Sequence, residues 1–206
     1  MTIHSYKSRV IIIDPDDHVR RSLELLINSS EDFIVVHAAD SIDDPSRYVD
    51  MKPDVVLVDL PYSRSESIDF LREIRSVSCH IQVILYCLHE DNELLLDAIK
   101  SGACGYVSKS SNYAELRSFL QLVIDGEATM TSKLASMIIA DKELQHGSAF
   151  SNVQQQMLNF LSRGKTYIQI GEELSISKSQ LRREVKRIYQ HINQLHQSGV
   201  AAAKRI

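Results

Sequence analysis

The chain has no tryptophan, only three cysteines and seven glycines, and none of those glycines precedes Gly102. Each shortage removes a class of function. Cys79, Cys87 and Cys104 are odd in number and never spaced Cys-x-x-Cys, so neither a disulfide framework nor a zinc knuckle is expected, and they read as reduced packing residues. No glycine-rich turn follows the first apolar run to cradle a dinucleotide or a nucleoside triphosphate, and no Gly-x-Ser-x-Gly elbow occurs. The eight histidines are scattered, without metal-ligand or Ser–His spacing, so the chain is not read as an enzyme. Long apolar stretches are missing too. Runs such as Val10–Ile13 and Val55–Val58 fall far short of the roughly 20 residues that span a bilayer, and no membrane segment is expected. The start, Met1-Thr2-Ile3-His4-Ser5-Tyr6-Lys7, lacks the apolar stretch of a signal peptide, so a cytoplasmic location is expected. What remains is 206 residues, 44% apolar, 24% charged and 6% aromatic, enough for two cores, one of ordinary size and one small.

Charge divides the chain. The net −4 conceals residues 1–149, with 14 Lys and Arg against 24 Asp and Glu, and residues 150–206, with 9 against 3. Counterion release rewards a basic segment that meets a polyanion, so this concentration of positive charge points to nucleic acid for the second part alone. Between the parts, Asp141-Lys142-Glu143-Leu144-Gln145-His146-Gly147-Ser148 is polar, lacks apolar periodicity and reads as a linker.

In the acidic part, β-branched runs recur at Val10–Ile13, Phe33–His37, Val55–Val58, Val83–Tyr86 and Tyr106–Val107, each followed by a stretch of helical period. Val19, Leu23, Leu26 and Ile27 mark the inward face of a first helix opened by Asp16 and Asp17. Five βα units predict an α/β domain, a doubly wound parallel sheet of flavodoxin-like type whose ligands bind at the carboxyl ends of the strands. Those ends carry charge: Asp14 closes the first strand, Asp59 the third, and Lys109 follows the fifth. An aspartate that accepts a phosphoryl group, with a lysine neutralising the developing charge, fits this set.

These residues resemble a known family. Residues 8–127, through Pro53-Asp54-Val55-Val56-Leu57-Val58-Asp59-Leu60 and Gly102-Ala103-Cys104-Gly105-Tyr106-Val107-Ser108-Lys109, are similar to the receiver domain of bacterial response regulators. The resemblance implies Asp59 as phosphoacceptor, Lys109 as its charge partner and Tyr106 as an aromatic switch. It also implies an Mg²⁺ site at the acidic cluster Ile13-Asp14-Pro15-Asp16, with Asp14 and Asp59 as ligands. Departures matter equally. Pro15 stands where the family has a second acid, Asp16 belongs to the helix start, and Cys87 replaces the Ser or Thr that bonds the phosphoryl group, a thiol being a weak donor. The loop Leu60-Pro61-Tyr62-Ser63-Arg64-Ser65 lacks the usual Met-Pro arrangement. The expectation is a retained fold with a phosphorylation pocket of Asp14, Asp16, Cys87 and Lys109 around Asp59 that holds Mg²⁺ weakly or not at all, no cofactor being required.

The basic part predicts a helix with Val153, Met157, Leu158 and Leu161 inward, ended by Arg163-Gly164, then a short helix capped by Thr166, and a turn at Ser175-Ile176-Ser177. The next helix carries Leu181, Val185, Ile188 and Ile192 on one stripe, with Ser179, Arg182, Arg183, Lys186 and Arg187 opposite. That is the helix-turn-helix plan, whose second helix enters the major groove; a solvated basic α-hairpin is the bland alternative. Phe150 to about Ala203 resembles the DNA-binding domain of LuxR-type regulators through Ile168-Gln169-Ile170-Gly171-Glu172-Glu173-Leu174-Ser175-Ile176-Ser177-Lys178-Ser179. Lys178 and Lys186 are assigned to phosphates, Arg182 and Arg183 to guanine edges, with Ser179, Gln180 and Arg187 on the same surface. A final helix, around Gln197 to Ala203, is expected as the dimer contact that the resemblance implies.

Together these readings describe a receiver at 1–128, a linker with a helix at 129–149 and a small all-α helix-turn-helix domain at 150–206. The expected activity is transcriptional regulation of the NarL/FixJ class: a homodimer on double-stranded DNA, little dependent on Mg²⁺-mediated phosphorylation, with a sensor histidine kinase or another regulator as further partner. Two alternatives stay open: a conventional regulator activated at Asp59, and a signalling adaptor that pairs with another regulator without binding DNA.

Overall fold

The computed structural model describes residues 6–59, 64–88, 92–142, 144 and 150–203, without the side chains of 64, 92 and 197–203. Of the expected loop motif 60–65, residues 60–63 lie outside the described residues and 64–65 already belong to a helix; linker residues 143 and 145–149 also lie outside. By packing, the chain forms two compact units, Met1–Glu90 with Tyr106–Asp125, and Asp91–Gly105 with Gly126–Ile206.

The β-branched runs of the first unit become strands β1 (Ser8–Ile13), β2 (Phe33–Ala39), β3 (Val55–Val58), β4 (Gln82–Cys87) and β5 (Gly105–Ser108). They form one sheet in the order β2-β1-β3-β4-β5, with the β1–β2, β1–β3 and β3–β4 pairs parallel, as the alternating pattern predicts. Between them run α1 (Asp17–Asn28), α2 (Pro45–Asp50) and α3 (Arg64–Val77), and α5 (Tyr113–Ile124) follows β5. Every residue of β3 is buried, the mark of a central strand covered on both faces. Val10, Ile12, Val55, Leu57, Ile84 and Tyr86 join Leu23 and Ile27 of α1 and Leu116, Leu120 and Val123 of α5 in one core cluster. Leu26 departs from the expected inward face of α1 and is 41% exposed, because the buried stripe is the narrower Leu23–Ile27 pair.

The second unit holds α4 (Asn92–Lys100), α6 (Ser132–Ala140), α7 (Asn152–Ser162), α8 (Tyr167–Leu174) and α9 (Lys178–Ala203). Packing thus groups residues 91–105 with the C-terminal helices, whereas the sequence places them in a span 1–128. The physical link is a nearly buried ion pair, Lys100 to Asp141 at 2.6 Å, and the Asn193 amide donating to the Lys100 carbonyl at 2.9 Å. Asp141, expected in the linker, is therefore a packing residue, and Leu144 beyond it is 3% exposed.

Capping fixes where the C-terminal helices start. Ser151 with Gln154, and Thr166 with Gln169, form capping boxes, and Ser177 with Gln180 exchanges the same two bonds at the start of α9. The turn between α8 and α9 is tight: Ser175 is left-handed at φ 56°, and the Ile176 amide returns to the Gly171 carbonyl at 3.0 Å. A Cβ on Gly171 would lie 2.8 Å from the Ile176 carbonyl oxygen, so glycine is what lets this turn close. Leu181, Val185, Ile188 and Ile192 are fully buried, as expected, but Val153 is 41% exposed on the first turn of α7. Residues 197–203 are helical as expected, but as the end of α9 and not as a helix of their own. Helix α9 runs without a break through residue 203, because nothing between Ile192 and Gln197 is a breaker and Gly199 alone costs a helix only about 1 kcal/mol.

Candidate functional site

The sheet builds the first site by register. Ile13 pairs with Val58 across β1 and β3, so the residues that follow, Asp14 and Asp59, emerge side by side at the carboxyl edge. The Asp59 amide donates to the Ile13 carbonyl at 2.8 Å, and the Asp14 amide to Ala39 at 3.0 Å. On the far side, the Lys109 amide donates to the Cys87 carbonyl at 2.9 Å, which carries β5 past its last residue and turns the lysine inward. Its ammonium then lies 2.7 Å from Asp14 Oδ2 and 2.6 Å from Asp59 Oδ2. The three residues chosen from the sequence as a constellation do meet.

Burial grades the three: side-chain exposure is 1% for Asp14, 12% for Lys109 and 15% for Asp59. Burial alone would lower the ammonium pKa, but the hydrogen bonds and charges of both carboxylates prevail and hold it above the ordinary lysine value. Asp14 Oδ1 accepts the Asp16 amide at 2.9 Å, across Pro15, which has no carboxylate to offer. Asp16 accepts the amides of His18 at 2.9 Å and Val19 at 3.2 Å as the N-cap of α1. Those two amides hold its carboxyl below the usual range. Cys87 is half-buried at the end of β4, and Tyr106 half-buried on β5 three residues before Lys109.

Two neighbours were not expected. Arg20 donates to the Asp14 carbonyl at 2.7 Å and to Asp17 at 2.6 Å, bracing the backbone that presents Asp14. Tyr86 places its ring 5.8 Å from the Lys109 ammonium, a cation–π distance, and burial raises its phenol pKa. Arg20 lies one helical turn beyond Asp16, and Tyr86 is one residue before Cys87. Both positions were legible in the sequence, but neither role was. Among the described residues, no three His, Cys, Asp or Glu side chains gather as a metal site. No described helix is long and apolar enough to cross a membrane.

The second candidate is the basic surface of α9, and its residues do not share one environment. Lys178, Gln180, Arg183 and Arg187 are exposed, Arg187 in an ion pair with Glu184 one turn before it. Ser179, Arg182 and Lys186 are half-buried. Ser179 Oγ donates to Glu127 Oε1, and Arg182 Nη1 lies 3.5 Å from Glu127 Oε2. Glu127, 9% exposed, was missed from sequence, where it is one acid after Gly126 with no pattern around it. Tyr167 and Tyr189 were also missed. The phenol of Tyr167 accepts the Met130 amide at 2.9 Å, and that of Tyr189 donates to the Thr129 carbonyl at 2.7 Å. Burial pushes the Tyr167 phenol up to about 12, against the opposing pull of the Met130 amide and the Arg182 charge, and raises that of Tyr189 well above its ordinary value.

Comparison with known proteins agrees with this architecture. Residues 10–121 match the family described as the response regulator receiver domain. The chain is similar to the transcriptional regulatory protein LiaR of Bacillus subtilis, 27% identical over 176 residues that cover 82% of this chain and 83% of the relative. It is similar to the DNA-binding transcriptional activator DevR/DosR of Mycobacterium tuberculosis, 25% identical over 186 residues that cover 87% and 86%. Among solved structures, a LuxR-family two-component response regulator from Aurantimonas sp. aligns with a TM-score of 0.55 at 27% identity, over 66% of this chain and 97% of that one.

Proposed function

The chain belongs to the response regulator receiver domain family, and we propose from that premise that it is a two-component transcriptional regulator. In this reading it binds duplex DNA through α9 as a homodimer, and its receiver depends little on Mg²⁺-mediated phosphorylation of Asp59. Support for DNA binding comes from the tight α8–α9 turn, the cationic surface of α9 and the named activity of the relatives.

The observation that carries the receiver half is the place of Lys109. Its ammonium touches both carboxylates, so each aspartate already spends one oxygen on a cation that belongs to the chain. The residues present do not fit a conventional divalent-cation site: Pro15 supplies no acid, Asp16 is spent on capping α1, and Asp14 Oδ1 is spent on the Asp16 amide. In this pocket Lys109 neutralises the paired acids, Arg20 fixes the Asp14 backbone, and Tyr86 walls the ammonium on one side. The unit then serves as a constitutive assembly or partner-binding module, with a second regulator or a sensor kinase as partner.

A second reading keeps the phosphorylation switch. It is favoured by Asp59 being more exposed than Asp14, so that a donor reaches it. Labelling by a small-molecule phosphodonor, with and without Mg²⁺, on wild type and Asp59→Ala separates the two. The proposal expects little label and unchanged DNA affinity. Stoichiometric, Mg²⁺-dependent label that is lost in Asp59→Ala and tightens DNA binding refutes it. Steep loss of duplex binding with salt supports the DNA reading, whereas salt-insensitive pairing with a protein supports the adaptor.

A further inference from the structure

Four consecutive residues after α5 are each tied to the C-terminal helices. Glu127 takes Ser179 and Arg182, the Ala128 amide donates to the Arg182 carbonyl at 3.1 Å, the Thr129 carbonyl accepts Tyr189, and the Met130 amide donates to Tyr167. The segment is a strap laid along α9. Glu127, Ala128 and Met130 are all below a tenth exposed. The three residues of α9 that it bonds, Ser179, Arg182 and Tyr189, lie with Lys186 and Asn193 at offsets of three and four, a single stripe of the helix.

What the strap places on that stripe is one anionic group with two oxygens, held by a hydroxyl on the positively polarised first turn of a long helix and a guanidinium just beyond that turn. A phosphodiester has the same charge and uses the same donors. The fit of the carboxylate is incomplete. Arg182 reaches it at 3.5 Å through one terminal nitrogen, while Arg182 Nε is buried with no acceptor among the described residues. A tetrahedral phosphate spreads its oxygens more widely than a carboxylate and offers that nitrogen a partner. A neutral occupant would leave the half-buried guanidinium without a counter-charge, so only another anion exchanges with Glu127 at little cost.

We propose that Ser179 and Arg182 form a site for a backbone phosphate of duplex DNA, that Glu127 fills it in the free protein, and that the 126–130 strap leaves α9 when DNA binds. This rests on the DNA-binding reading above. It gives Arg182 a phosphate in place of the guanine edge that its sequence position suggests, and it makes strap closure and DNA binding mutually exclusive.

The test uses the full chain and fluorescence anisotropy with several labelled duplexes of unrelated sequence at low salt. Glu127→Gln keeps the shape and removes the charge, and is expected to tighten every duplex by about tenfold, roughly 1.4 kcal/mol. Arg182→Ala is expected to weaken all duplexes alike, to flatten the salt slope by about one, and to abolish the effect of Glu127→Gln in the double variant. In the wild type, hydrogen exchange at the Ala128 and Met130 amides is expected to accelerate on saturation with DNA. Wild-type binding that Glu127→Gln leaves unchanged, or amides that stay protected in the complex, overturns the competition. Sequence-dependent losses in Arg182→Ala overturn the phosphate assignment. If no variant binds any duplex at low salt, the DNA-binding reading fails and this inference fails with it.

Discussion

Replacing Lys109 with methionine keeps the aliphatic stem but removes the one cation that two neighbouring carboxylates share. Asp14 is 1% exposed, so the substitution leaves a buried charge that keeps the Asp16 amide but has lost its counter-charge. Removing one member of a buried ion pair costs about 3–5 kcal/mol, and the low end applies here because Asp59 and Lys109 keep slight access to solvent. With roughly 3 kcal/mol lost and a urea slope of about 1–3 kcal/mol per molar, the unfolding midpoint of the first unit should fall by at least about 1 M. Urea denaturation of the full chain, followed by circular dichroism, measures this. Asp14→Asn in the same chain removes the stranded charge at nearly constant shape, so the double variant should recover most of the loss. A Lys109→Met protein as stable as wild type, or a double variant no more stable than the single one, would show that the ion triad does not hold the carboxyl edge together. The pH dependence has a definite sign. Lys109 titrates above its ordinary value in the folded chain, so its contribution is intact below about 10.5 and disappears as alkali rises through the elevated value. Acid should not remove it through the lysine.

Tyr167 offers a second alkaline signature. Its folded value of about 12 exceeds the 10.0 of a free phenol, so the second unit should lose stability as pH climbs between these two values. Tyrosinate absorbance during a base titration monitors this, and Tyr167→Phe should remove that part of the loss; an identical profile in the variant would refute the assignment. Asp16 is read as a helix cap and not a metal ligand. Asp16→Ser should therefore keep thermal stability close to wild type, while Asp16→Ala lowers it. Equal losses in both variants, with a wild-type gain in stability on adding Mg²⁺ that both lack, would overturn this reading and make Asp16 a ligand.

What was legible in the sequence was whatever repeats or ends a repeat. The runs at Val10–Ile13, Val55–Val58 and Val83–Tyr86 have no competing period, so strand identity and sheet class followed directly, and with them Asp14, Asp59 and Lys109 at strand ends. Capping residues were similarly plain: Thr166 and Ser177 stand before apolar helical stripes and do cap. Features that depend on long-range packing were not legible. Periodicity marks a helix's inward face but not its width, so Leu26 and Val153 were placed inside and lie partly outside. Nor does local pattern tell a helix which unit will hold it. Residues 92–100 read like any crossover helix until Lys100 meets Asp141, forty-one positions later. Glu127 is the hardest case, because a lone carboxylate after a glycine has no local signature and its role exists only through Ser179 and Arg182.

Because α9 is continuous over 26 residues, about 39 Å at 1.5 Å per residue, its two ends share one azimuth. Asn193, gripping the carbonyl that ends α4, therefore acts as an indexing pin: it sets the compass bearing of Arg183 and, about four turns away, of Lys178, without touching either. Turning that bearing requires rolling the helix as one body, so a nudge at the end of α4 is delivered to the cationic end undiminished.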